Sequence, residues 1–304
     1  MKKTFRNNSR VTVIIPCYND GIYIDEAVNS ILSQTYSNYE IIIVDDGSND
    51  QTTVNKLKQY KCSNIKVLFK SNGGVSSARN YGVRHTNSEY ILFLDADDIF
   101  DSTFLEKAVN ILDNRSEIGV VTCYARYFVE NDFNKTTDVW RPKGGGVENF
   151  LVENNAVGNS LVRHVCWKDA GGYDETLLSS EDRDFWIKIT KNGWIIHAIP
   201  EILFHYRRAA KSKYWKFKNQ RPEIIKHIVS NNVDVYSKYV VECLYEKEKE
   251  LYYYKRKVDE VQNKLKKSPP YIIGYYITYP NRKIRKLLKV IRSKLVTFLN
   301  INSG

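Results

Sequence analysis

Three carboxylates, Asp95, Asp97 and Asp98, stand within four positions at the end of the apolar run 91–94. Like charges crowded this closely repel unless a cation sits among them; without one, at least one of them tends to keep its proton. Oxygen-only donors at this spacing suit Mg2+ or Mn2+, which take one or two carboxylates and complete their shell with phosphate oxygens and water. The implied ligand is a di- or triphosphate. The plainer alternative is that these residues cap the helix that follows.

Two further polar clusters end apolar runs in the same way. Pro16-Cys17-Tyr18-Asn19-Asp20 follows the run 11–15, and Asp45-Asp46-Gly47-Ser48 follows 41–44. Tyr18 offers an aromatic face for a base, and Asp45 can accept a hydrogen bond from a base N–H. Between these runs, Ile24, Ala27, Val28, Ile31 and Leu32 recur at the spacing of one helical face. Strand, helix and strand in succession make a βαβ unit, whose right-handed crossover gives a parallel sheet. The pattern continues through a helix over 51–60, a strand over 65–69, a loop at 71–74, a helix over 78–85 and a strand over 90–94. Ligands of such doubly wound sheets bind at the carboxyl ends of the strands, so the three clusters should converge on one crevice. From about 100 to 205 the pattern is less regular, with a glycine loop at 144–146, a turn at 171–175 and a helix over 184–191.

The chain of 304 residues is long enough for one large α/β domain or two smaller ones, and 42% hydrophobic with 27% charged residues is an ordinary globular composition. Its net charge of +11 is uneven: residues 205–304 carry 24 Lys and Arg against 8 Asp and Glu, leaving 22 against 27 before them. Such a basic tail implies an anionic partner. Residues Val240, Leu244, Leu251, Tyr254, Val258, Val261 and Leu265 fall on heptad positions interrupted by Lys247, enough for a helical hairpin or a homodimer contact through 240–265. Over 282–299 one helical face is apolar and the other basic, the pattern of a helix lying on an anionic membrane surface, here through 270–304; nucleic acid is not the expected partner. Five scattered cysteines without a CxxC pair fit a reducing cytoplasm. No run approaches the roughly 20 apolar residues of a membrane span, and neither a Walker loop nor a GxGxxG fingerprint is present.

The segments PCYND, VDDGSND, SNGGVSSARNYG, FLDADD, GGYDE and SSEDRDFW, in this order, resemble the motifs of family 2 glycosyltransferases over about residues 10–212. The resemblance implies a GT-A fold: an α/β, Rossmann-like domain over 1–214 with a mainly parallel central sheet and helices on both faces. Its nucleotide half would occupy about 10–100 and its acceptor half about 100–214, followed by a basic α-helical extension over 215–304. It implies a metal-dependent, inverting hexosyl- or N-acetylhexosaminyl-transferase. The enzyme would move a sugar from a nucleoside-diphosphate sugar, UDP-linked, to a hydroxyl of a growing lipid-linked surface glycan, at the inner face of the cell membrane. On this resemblance Pro16, Tyr18, Asn19 and Asp45 match nucleoside-binding positions, and Asn72, Gly74 and Arg79 match the loop and helix that approach the nucleotide-sugar. Asp95 and Asp97 match the DxD pair, with Asp97 the closer ligand of Mn2+ or Mg2+. Asp182 matches the general base, with Glu181 beside it, and Arg207 would reach the pyrophosphate. Where relatives carry a His two residues after the Tyr-Arg pair this chain has Ala209, which leaves the diphosphate contact from this end open, with His205 and Arg208 as the candidates to replace it. Two rival readings are a haloacid-dehalogenase-type phosphatase with Asp95 as nucleophile and a non-catalytic nucleotide-sugar-binding module. The phosphatase pattern places its DxD strand first, whereas here other strands precede the FLDADD strand.

Overall fold

The structure is a computed structural model that describes residues 9–129, 132–208 and 217–267. The expected amphipathic tail at 282–299 lies outside these residues. The first hundred residues alternate β1 (Val11–Cys17), α1 (Ile24–Leu32), β2 (Tyr39–Asp45), α2 (Gln51–Leu57), β3 (Ile65–Phe69), α3 (Val75–Val83), β4 (Tyr90–Phe93) and β5 (Ile99–Phe100). Strands β1 to β4 pair in parallel, in the order β3-β2-β1-β4. Strand β1 is buried along its whole length, as a strand covered on both faces must be. Its alternate residues Val11, Val13 and Ile15 join a core with Ile24, Ala27, Val28 and Ile31 of α1. On the opposite face Ile14 meets α3, where a Cβ on Gly82 would come within 2.6 Å of the Ile14 Cγ2. Helices therefore flank both faces of the sheet, and the absence of a side chain at position 82 sets how closely α3 approaches β1.

Helix ends follow local chemistry. The carboxylate of Asp50 accepts from the Thr52 and Thr53 N–H groups at the start of α2. Gly74, with φ of 87°, precedes α3, which begins three residues earlier than the apolar pattern suggests.

The irregular stretch supplies α4 (Phe104–Asn114), β6 (Ile118–Val129), β7 (Asp132–Trp140), β8 (Leu161–Arg163), α5 (His164–Asp169), α6 (Glu181–Lys191) and β9 (Ile195–Arg208). Strand β8 inserts antiparallel between β4 and β6, β9 runs parallel to β6, and β5 closes antiparallel on β9. This last pairing brings residues 99–100, just past the three carboxylates, onto 204–205.

Helices α7 (Arg221–Asn231) and α8 (Val233–Lys238) complete the first compact unit, which runs to Tyr239, past the boundary expected at 214. They are tied to α6 by a buried bond from Asn232 Nδ2 to Asp184 Oδ1 of 2.9 Å. The second unit begins with the long helix α9 (Val240–Lys267). Its heptad residues Val240, Leu244, Leu251 and Tyr254 are exposed. Among the described residues no helix is long and apolar enough to cross a membrane.

Candidate active site

The carboxyl ends of β1, β2 and β4 open on a crevice of about 1070 Å³, lined by Pro16, Tyr18, Asn72, Gly74, Arg79, Asp95, Asp97, Glu181, Asp182 and Arg207 among others. Ten of the twelve expected site residues thus share one cavity. Asn19 and Asp45 are not among its lining residues. Asn19, at φ 60°, accepts from the Asn49 and Asp50 N–H groups, while Asp45 Oδ1 accepts from Ser48 N–H. Both shape the 46–50 loop that borders the crevice.

The neighbour that faces inward is Asp46. Its carboxylate accepts from Lys70 Nζ at 2.7 Å, Gly73 N at 3.0 Å and Gly74 N at 2.7 Å, and its carbonyl accepts from Asn72 Nδ2 at 2.9 Å. One buried carboxylate folds the whole 70–74 loop against the crevice. In the sequence, Asp45 and Asp46 are adjacent and chemically alike; only Asp46, the first residue past β2, lines the crevice.

At the end of β4 the three carboxylates have separate environments. Asp98 is buried, and accepts from Arg207 N–H at 2.8 Å and from Asn159 Nδ2 at 3.1 Å. Asn159 Oδ1 in turn accepts from Asp95 N–H at 3.0 Å, so one amide spans the turn. Asp98 is therefore the brace of the turn, a role its sequence position does not reveal. Burial, then Asp97 and Asp95, drives the Asp98 carboxyl well above the usual carboxylate range. Burial, then Asp95 and Asp20, pushes Asp97 up to about 7, and burial with Asp95 pushes Asp20 up to about 6. This is the electrostatic signature of a carboxylate cluster suited to a cation.

Among the described residues no group of three His, Cys, Asp or Glu side chains is placed to hold a metal by itself. The donor set fits a cation that completes its shell from elsewhere. Asp95 and Asp97 both line the crevice, and the Asp95 bond to Arg79, at 2.6 Å, is made through Oδ1. A Mg2+ or Mn2+ held by one or two carboxylates and by diphosphate oxygens matches this set.

Arg79, buried on α3, joins the two walls. Its Nη2 pairs with Asp95 and its Nη1 with Glu181 Oε1 at 3.1 Å, while the guanidinium lies 5.2 Å from the Tyr173 ring centroid. Asp182, the next residue on α6, accepts from Asn154 Nδ2 at 2.7 Å and from Arg183 N–H at 2.8 Å. Burial, and then the adjacent Glu181, pushes Asp182 up to about 6. Ser180, at φ 60°, holds a left-handed conformation uncommon outside glycine immediately before this pair.

Arg207 lines the crevice, but its guanidinium is engaged by the Asp97 carbonyl and Glu26, each at 2.8 Å, and lies over Tyr23 and Phe128. It clamps the turn carrying Asp97 as well as bordering the cavity. Neither His205 nor Arg208 is among the lining residues. His205 is buried opposite Ile99 with its imidazole pushed down to about 4 by burial and Arg126, and Arg208 lies 4.0 Å from the Tyr127 ring centroid.

Residues 12–167 match the family model described as Glycosyl transferase family 2. The chain belongs to this family. A relative described as an uncharacterized glycosyltransferase of Rickettsia typhi is 33% identical over 191 residues, 60% of this chain and 58% of its own length. The minor teichoic acid biosynthesis protein GgaB of Bacillus subtilis is 40% identical over 119 residues, 38% of this chain and 13% of GgaB. The chain therefore spans only part of the curated relatives it matches. Among solved structures, S. aureus TarS 1-349 in complex with UDP-GlcNAc aligns at a TM-score of 0.55 and 24% identity, covering 67% of this chain and 60% of that one. The family match and this likeness agree on the GT-A fold, and the nucleophilic-aspartate phosphatase reading falls away.

Proposed function

We propose that the protein is an inverting, metal-dependent glycosyltransferase that moves a sugar from a UDP-linked donor to a hydroxyl of a surface glycan. The observation that carries this reading is the Arg79 bridge, which holds the DxD carboxylate Asp95 and the acidic start of α6 together in one crevice. Donor and acceptor chemistry need that proximity: a group that holds the phosphate end and a base within reach of the same anomeric carbon. TarS bound to UDP-GlcNAc and the teichoic acid protein GgaB support a UDP-sugar and a surface-polymer acceptor.

Tyr18 and the 70–74 loop would seat the nucleoside, and Asp97 with Asp95 would hold the cation at the diphosphate. Bound there, a divalent cation supplies charge neutralisation for the leaving diphosphate. Asp182 takes the proton from the acceptor hydroxyl as the oxygen attacks the anomeric carbon in line and the carbon–phosphate oxygen bond breaks. A carboxylate lifted to about 6 suits a base that must be ionised near neutral pH yet hold a proton on arrival. The basic segment 270–304 and the exposed heptad face of α9 support, respectively, a peripheral tether to an anionic inner membrane and self-association.

The test is a panel of nucleotide-sugars assayed for diphosphate release with Mn2+ or Mg2+, with and without glycan acceptors. Asp182→Asn should lose turnover and keep metal-dependent UDP binding. Wild-type turnover in that variant removes Asp182 from the role of base; trapping of a phosphorylated Asp95 would sink glycosyl transfer altogether. Equal binding of the full chain and a chain ending at 269 to anionic vesicles would dispose of the tether.

A further inference from the structure

We propose that Asn154 is a positioning residue for glycosyl transfer, an amide that fixes the Asp182 carboxylate and holds it ready to accept a proton. The inference rests on Asp182 as the base. Asn154 lies in the loop between β7 and β8, lines the crevice and donates from Nδ2 to Asp182 Oδ2 at 2.7 Å. Its own Oδ1 accepts from Ala156 N–H at 3.4 Å, which sets the amide so that its donor side meets the carboxylate. Behind the carboxylate stands Gly158, on which a Cβ would lie 3.4 Å from Oδ2.

The loop and the base helix are built as one piece. Arg183, next to Asp182, is buried and donates from Nε to the Phe150 carbonyl at 2.9 Å and from Nη2 to the Leu151 carbonyl. Tyr236 of α8 donates its hydroxyl to the same Leu151 carbonyl at 2.9 Å. The residue beside the base thus holds the loop that delivers the amide to the base. Asp182 and Arg183 lie in the SSEDRDFW segment, whereas Asn154, distant in the chain, lies in none of the quoted segments.

The chemistry explains an amide here. Both donors to Asp182, Asn154 Nδ2 and the Arg183 N–H, are neutral, and they favour the ionised form without the strong bias of a contacting cation. The charged and titratable groups around Asp182 include Glu181 and Arg183 on the same helix, Arg79 on α3 and Tyr173 in the preceding loop. Removing the amide removes a donor to the charged form; replacing it by a carboxylate makes two acids share one site.

The experiment compares pH profiles of kcat for the full chain and its Asn154→Ala and Asn154→Asp variants, with the donor selected by the nucleotide-sugar panel. Calorimetric binding of UDP with Mn2+ serves as the control for an intact donor side. Loss of a charge-assisted hydrogen bond should move the acid limb of the Ala variant up by about one pH unit, with a roughly fivefold loss at pH 6 that largely recovers at pH 8. The Asp variant should move further, by about two units, as in paired carboxylates. Profiles superimposable on the wild type with UDP binding intact overturn the proposal, as does an equal loss at every pH. Failure of the base assignment reads differently: Asp182→Asn would then keep wild-type turnover. A fold-disrupting Ala variant would show as lost UDP binding, and the Asp variant, nearly the same shape as Asn, then decides.

Discussion

Replacing Arg79 by Met keeps a long side chain beneath Tyr173 and removes the cation between Asp95 and Glu181. Breaking a buried ion pair by deleting one partner costs about 3–5 kcal/mol, because the remaining charge is left without compensation. Here two carboxylates are left, but they differ in access to water: the Asp95 side chain is 31% exposed and that of Glu181 is 12% exposed. Solvent relieves the Asp95 end, so the lower part of the range, about 3 kcal/mol, is expected. With a urea m value of about 3 kcal/mol/M, the unfolding midpoint should fall by about 1 M, measured in EDTA without nucleotide. The second half of the cycle separates charge from packing. Arg79→Met with Glu181→Gln removes the more buried of the two carboxylates that lose Arg79, and should be more stable than Arg79→Met alone by about 1–2 kcal/mol. A single-variant midpoint within about 0.3 M of wild type, less than a third of the expected shift, would refute the bridge as a structural element. Simple addition of the two losses would refute the coupling.

Asp46→Ala frees Lys70 and the Gly73 and Gly74 N–H groups, so UDP affinity by calorimetry should weaken about 10–100-fold as the loop loses a charged acceptor; an unchanged Kd would mean the loop holds its shape without it. Because Asp182 works only when ionised and is pushed up to about 6, log kcat should climb as pH rises to about 6 and level off above; a flat profile from pH 5 to 8 would contradict the assignment. Gly82→Ala should lower stability by about 1–2 kcal/mol, the overpacking of Ile14 at 2.6 Å being offset in part by better helix propensity; a more stable variant by thermal denaturation would show that α3 can shift.

What the residues determined by themselves was the frame. Val11 to Phe93 alternates apolar runs and amphipathic turns, and a right-handed βαβ path leaves no choice but to bring the ends of β1, β2 and β4 to one edge. Pro16, Tyr18, Asp95 and Asp97 could be read from that, because strand ends are local features and parallel pairing is their geometric consequence. The motifs after residue 100 pointed to Asp182, yet not to the way its wall is built. Tertiary structure decided which of two adjacent aspartates turned inward at 45 and 46, and that Asp98 would brace the turn through Arg207 and Asn159. It also decided that Arg79 would hold both walls and that Asn154 would meet the base. Each of these depends on a contact between residues far apart in the chain, made only once β8 has inserted beside β4 and α6 has packed on the 150–155 loop. Hydrophobic periodicity records which face of an element is buried; it carries no mark of which polar partner will be waiting there.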